Sequence, residues 1–153
     1  ADLYFLPGVP EAIKKLNEVF DYVFVVTNQG GVGLGFMKEA TLQKIHEHMI
    51  AELKKKGAII DEAVYCPHKP KAGCPCRKPK SKMILDLAQK YKVDLTHSYM
   101  VGDTDTDIIA GKNAGTKGVF LGNSDPLADA VCPNLLSAAE WIIADAQKKG
   151  ESE

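Results

Sequence analysis

The chain has 153 residues, the length of one domain able to bury a core. With 45% apolar and 25% charged residues, its composition is that of an ordinary soluble globular protein. A formal net charge of −1 excludes a global field that would capture nucleic acid or an anionic membrane, so any anion must be drawn by a local cluster. No apolar run approaches the roughly 20 residues of a membrane span, and no secretory signal pattern opens the chain. A cytoplasmic, monomeric, single-domain protein over 1–153 is the expectation, in a reducing compartment where paired cysteines serve as metal ligands more often than as disulfides.

The apolar pattern alternates short β-rich runs with longer helical stretches. "PGVPEAIKKLNEVF" spaces Val9, Ala12, Ile13, Leu16 and Val19 as one helical face, with Pro10 in its first turn. "YVFVV", Tyr22 to Val26, is a continuous apolar run and reads as a strand buried on both faces. From Lys38 to Lys56, Leu42, Ile45, Met49, Ile50 and Leu53 repeat on one face, and Gly57 stops the helix. "EAVYC" is a second strand. A helix over about Ser81 to Lys92 follows, carrying Met83, Ile84, Leu87, Ala88 and Tyr91. Then come the strand "YMVG", the helix "TDIIAGKNAG" ending on Gly115, the strand "KGVFLG" and a last helix over roughly Leu136 to Gln147, with "KKGESE" expected to fray. This alternation predicts an α/β fold, a three-layer α/β/α sandwich around a mainly parallel, Rossmann-like sheet. Ligands of such sheets gather beyond the carboxyl ends of the strands.

Three strand exits carry chemistry. "VVTNQGGVGLG" places Thr27 and Asn28 just past a strand, ahead of glycines whose backbone N–H groups can approach an anion. A flexible glycine loop with Thr and Asn as turn residues is the plain alternative, and no Walker A lysine follows. "MVGDTDTD" sets three carboxylates past another strand. Carboxylates packed together repel unless a cation neutralises them, and oxygen ligands of this kind suit Mg²⁺. Asp105 or Thr106 is expected to cap the following helix, with Asp103 binding metal. The third exit, Cys66 to Lys80, ends in "CRKPK", where Arg77 and Lys78 suit phosphate, or form only a solvated basic turn.

Strand–"TN", a basic Lys and strand–"GDxxxD", in that order, resemble the haloacid dehalogenase superfamily of phosphatases. Thr27 matches its second motif, Lys78 its third, and Asp103 with Asp107 its fourth. "PGVPEAIKKL", "VVTNQGGVG", "YCPHKP", "CPCRKPK" and "MVGDTDTDIIAGKNAG" look like the branch of heptose bisphosphate and histidinol-phosphate phosphatases, over about Phe5 to Leu121. "YCPH" and the glycine-rich loop lean toward the heptose side. The resemblance implies a Mg²⁺-dependent phosphatase of a small phosphorylated metabolite. Thr27 and Lys78 would hold the transferred phosphoryl oxygens, and Asp103 would bind Mg²⁺. Asn28, Gln29 and Arg77 would contact substrate, and Asp107 would steer a metal-bound water or Lys78. Such roles fit phosphoryl transfer, which needs positioning and charge neutralisation above all.

The resemblance also implies an attacking Asp in a "D-x-D-G" motif on an earlier central strand, and a second Asp acting as acid and base. No such motif occurs in the chain, and Asp2 is no substitute. A gap in a buried sheet would leave backbone groups unpaired, so about twenty residues of the natural protein are expected to precede Ala1. A non-catalytic phosphate-binding module is the reading if they do not. A zinc-loop interaction domain or nucleic-acid binder is a third, disfavoured by the net charge and the single Trp.

Cys66, His68, Cys74 and Cys76 form C-x-H-x5-C-x-C. Three thiolates and an imidazole make a closed tetrahedral set for structural Zn²⁺. Free thiols are an alternative. A disulfide is a poorer one, since any pairing among the three local cysteines leaves one over. Cys132, His46, His48 and His97 read as ordinary structural residues.

Overall fold

The computed structural model describes residues 8–28, 39–66 and 81–152, and the chain divides into two compact units, Ala1–Cys74 and Pro75–Glu153.

In the first unit, helix α1 (Val9–Val19) starts with Pro10 in its first turn, where the missing N–H costs nothing, and buries Ala12, Ile13 and Leu16. Strands β1 (Phe24–Asn28) and β2 (Glu62–Cys66) pair in parallel, and helix α2 (Glu39–Lys55) lies between them in sequence. Leu53, Ala58 and Ile60 complete the core. The approach to β2 is fixed by side chains that imitate a ladder. Asn17 Oδ1 accepts from Ile59 N–H at 2.8 Å while its Nδ2 donates to Ile59 C=O at 3.0 Å. Asp61 Oδ2 likewise accepts from Val23 N–H at 2.7 Å.

Helix α2 departs from expectation. Ile45, assigned to the apolar face, is 43% exposed, whereas His46 is 9% exposed and packs edge-on against Tyr65, centroids 5.7 Å apart. The buried stripe is His46, the half-buried Met49 and Ile50, and Leu53. Met49, Ile50 and Leu53 lie on the face expected, and the departure is that His46 rather than Ile45 is buried beside them, an imidazole that apolar periodicity does not count as core.

In the second unit, β3 (Tyr99–Gly102), β4 (Lys117–Leu121) and β5 (Ala130–Cys132) form a parallel ladder in that order. Helices α3 (Lys82–Tyr91), α4 (Asp105–Ala114) and α5 (Leu135–Ser152) complete it. Met83, Leu87, Ile108, Val119, Cys132, Ala138 and Ile142 form the core. Gly115 closes α4 at φ 106°, donating to the carbonyls of Gly111 and Lys112, a cap that a side chain would strain. The strand starts are tied to α5 through Asp145, which accepts from Tyr99 Oη and, at 2.9 Å, from Lys117 Nζ.

Strand β5 was not anticipated. It has only three residues, and residues 122–129 return the chain to it without a helix. Asp129 makes the short return possible: its N–H donates to Gly118 C=O and its Oδ2 accepts from Gly118 N–H, both at 2.8 Å. Burial alone would raise the Asp129 pKa, but Lys112 and the Gly118 N–H outweigh it and hold the carboxyl below its ordinary value. The last helix, expected over roughly Leu136 to Gln147, runs from Leu135 to Ser152.

Burial holds the His46 imidazole below its ordinary pKa of 6.5, because the charged ring would lose hydration against Tyr65. Between the folded and unfolded values the unfolded chain binds more protons. The contribution of neutral His46 is therefore whole above 6.5 and falls away as pH drops below it. Urea midpoints measured at pH 7 and about pH 5 should converge in His46→Leu relative to wild type.

Candidate active site

Parallel pairing of β1 with β2 sets Thr27 opposite Tyr65 and Asn28 opposite Cys66. The two strand ends are therefore neighbours, about 4.8 Å apart across the ladder. In sequence, the glycine-rich stretch follows β1 from Gln29 and the cysteine stretch follows β2 from Pro67. The side chains of Thr27, Asn28 and Cys66 lie outside the described residues. So do Gln29, His68, Cys74, Cys76, Arg77 and Lys78 in full.

At the end of β3, Asp103 and Thr104 link the strand to α4. The N-cap is Thr104, not Asp105 or Thr106 as expected. Its backbone is extended (φ −127°, ψ 154°) and its Oγ1 accepts from Asp107 N–H at 3.3 Å. Asp105 and Thr106 already lie within the first helical turn. The missed signal was T-x-x-D, a variant of the capping-box spacing, starting one residue earlier.

The three acids do not form one cluster. Asp103 and Asp105 are exposed, while Asp107 is only 6% exposed. Alternation would hold in a strand, but the chain is helical from Asp105, so Asp105 and Asp107 diverge by about 200° around the axis. Among the described residues, no three His, Cys, Asp or Glu side chains gather to hold a metal. The donor chemistry nonetheless fits Mg²⁺ at Asp103. An exposed carboxylate at a strand end is a hard oxygen ligand, and Mg²⁺ keeps several waters and takes few protein ligands.

Asp107 is packed rather than presented. Its Oδ2 accepts from Thr104 Oγ1 at 2.9 Å, and its side chain occupies the space where a Cβ on Gly102 would stand. Gly102 was not singled out in the sequence, although a glycine immediately before the acidic run marks such a close approach. The incoming side of the site is anchored too: Ser81 Oγ, at the start of α3, donates to Ala110 C=O of α4 at 2.7 Å. Ser81 is three residues beyond Lys78.

The HAD-hydrolase-like family profile matches residues 75–136, from the end of the cysteine segment through β5. The D-glycero-β-D-manno-heptose-1,7-bisphosphate 7-phosphatase of Rhodopseudomonas palustris is 41% identical over 130 residues, 80% of this chain and 72% of that protein. The structure of D,D-heptose 1,7-bisphosphate phosphatase from B. bronchiseptica, complexed with magnesium and phosphate, superposes with a TM-score of 0.81 at 34% identity, covering 92% of this chain and 84% of that one. The histidine biosynthesis bifunctional protein of Blochmanniella floridana is 36% identical over 111 residues, 72% of this chain but 31% of that protein. The chain belongs to the HAD-like phosphatases and, within them, to the family of the D-glycero-β-D-manno-heptose-1,7-bisphosphate 7-phosphatases.

A methyl group at Gly102 must displace the buried Asp107 side chain. Gly102→Ala should cost about 1–3 kcal/mol in chemical denaturation, the usual range for overpacking. An unchanged midpoint would mean that Asp107 moves aside freely.

Proposed function

We propose that the protein hydrolyses a phosphate monoester with Mg²⁺ and that its substrate is D-glycero-β-D-manno-heptose 1,7-bisphosphate. The observation that carries this reading is the family relationship, joined to strand exits that bear the matching motifs. The relatives bearing the heptose bisphosphatase name align across both compact units. That span also supports treating 1–153 as a single HAD-like domain into which residues 66–80 are inserted.

In this proposal Thr27 and Lys78 hold the oxygens of the transferred phosphoryl group, and Asn28, Gln29 and Arg77 contact the substrate. Asp103 is the Mg²⁺ ligand, supported by its exposure at the end of β3 and by the magnesium and phosphate in the B. bronchiseptica relative. Mg²⁺ would supply charge neutralisation for the phosphoryl oxygens. Asp107, buried against Gly102, acts on the geometry around Asp103 rather than on the substrate. The aspartyl-phosphate route further requires the two acids of a D-x-D-G motif, which none of the 153 residues supply.

Cys66, His68, Cys74 and Cys76 are proposed to bind structural Zn²⁺. The spacing supports this, as does the need to hold Arg77 and Lys78 rigidly at a phosphate. Monomeric, cytoplasmic operation on a small metabolite completes the reading. No helix among the described residues is long and apolar enough to cross a membrane. Histidinol phosphate is the second substrate to test, because the histidine biosynthesis relative aligns over 72% of the chain.

Phosphate release should be measured from both substrates with and without Mg²⁺. Faster release from the heptose bisphosphate is expected, and faster release from histidinol phosphate would overturn the substrate assignment. Binding without release would favour a phosphate-binding module. Asp103→Asn should lower turnover by about 10²–10³, the scale of losing one electrostatic partner of the transition state. Cys74→Ser should lose zinc by elemental analysis and raise KM together. Unchanged kinetics in zinc-free protein would remove the zinc site from the account of substrate binding.

A further inference from the structure

We infer that Thr104 is a positioning residue for Asp103, holding the backbone of the proposed metal ligand through Asp107. The inference rests on the Mg²⁺ reading of Asp103 and adds to it a residue that touches neither metal nor substrate.

The directions of the hydrogen bonds follow from chemistry. The Thr104 hydroxyl has one proton, and an ionised carboxylate can only accept. The 2.9 Å bond to Asp107 Oδ2 therefore uses that proton. The lone pairs of Oγ1 are left to accept the Asp107 N–H at 3.3 Å and the Thr106 hydroxyl at 3.0 Å. All the hydrogen-bonding capacity of the Thr104 hydroxyl is engaged.

The same Asp107 side chain fills the space beside Gly102. Both chain neighbours of Asp103 are thus restrained by one buried carboxylate, Gly102 by contact and Thr104 by a hydrogen bond, while Asp103 itself is exposed. A ligand whose backbone is ordered before the metal arrives loses less entropy on binding than one on a loose turn. Valine in place of Thr104 keeps the shape and removes the hydroxyl. Asp107 then loses a donor at Oδ2 and an acceptor at its N–H, and the turn at Asp103 loosens.

The test is Mn²⁺ binding by calorimetry on the full-length protein, below the melting transition of each variant. Thr104→Val should weaken Mn²⁺ binding about tenfold, and Thr104→Ser, which keeps the hydroxyl, should stay within about twofold of wild type. If Thr104→Val melts earlier yet binds Mn²⁺ as wild type does, Thr104 is an ordinary helix cap and the inference is wrong. Thr104→Ser binding as weakly as Thr104→Val would also overturn it. If Thr104→Val does not fold, Thr104→Asn keeps a good N-cap acceptor, withdraws the short hydroxyl bond to Asp107, and carries the same expectation. Asp103→Asn separates the two levels. Unaltered binding in that variant overturns the metal reading and this inference with it. Loss there, with wild-type binding in Thr104→Val, overturns the inference alone.

Discussion

Because β1 pairs with β2 in parallel, and β4 with both β3 and β5, every strand within a unit releases its chain at the same edge of its sheet. Parallel strands cannot be joined by a tight turn, so each pair needs a connection that returns the chain to its starting edge. Helix α2 lies within that connection in the first unit and α4 within the one between β3 and β4. The return from β4 to β5 is made without a helix, and it holds because Asp129 pairs with both backbone groups of Gly118. The pairing within each unit is made by the strands themselves, and in sequence the stretches that follow their carboxyl ends are where the glycines, prolines, cysteines and acids collect.

Much of this was legible in the residues. β2 and β3 fall where their apolar runs place them, and α1 begins at Val9 with Pro10 in its first turn. The parallel pairing follows from the alternation of strands and helices. What the pattern missed has physical causes that can be named. On α2 only the place expected for Ile45 differs: His46 is buried instead, packed edge-on against Tyr65, and hydropathy does not record such pairs. β5 was passed over because three residues between Asp129 and Pro133 are too few for periodicity to register. The run to Ser152 was underestimated because a charged tail gives no apolar stripe to follow.

At the site, residue types were easier to read than geometry. Asp103 follows the end of β3 and Asp107 lies in the first turn of α4, and the family relationship supports reading the chain as a phosphatase. The three carboxylates past β3 do not gather into one cluster because the chain turns helical at Asp105 and sends Asp105 and Asp107 in different directions. The helix begins at Asp105, and its N-cap is the threonine between the first two acids. Cap identity depends on the backbone angles of one residue, which neighbouring Asp and Thr side chains satisfy almost equally well in sequence.

The abrupt change from strand to helix also explains how two like acids four positions apart come to differ. Asp103 precedes the first helical turn and is exposed. Asp107 enters the first turn facing back toward Gly102, and there Thr104 donates to its buried carboxylate. Had the strand continued through Asp107, both acids would have projected to the same face, repelling each other at one end of the sheet. Ending the strand at glycine places one carboxylate against the turn and leaves the other exposed at the strand end, the arrangement on which the proposed metal role of Asp103 rests.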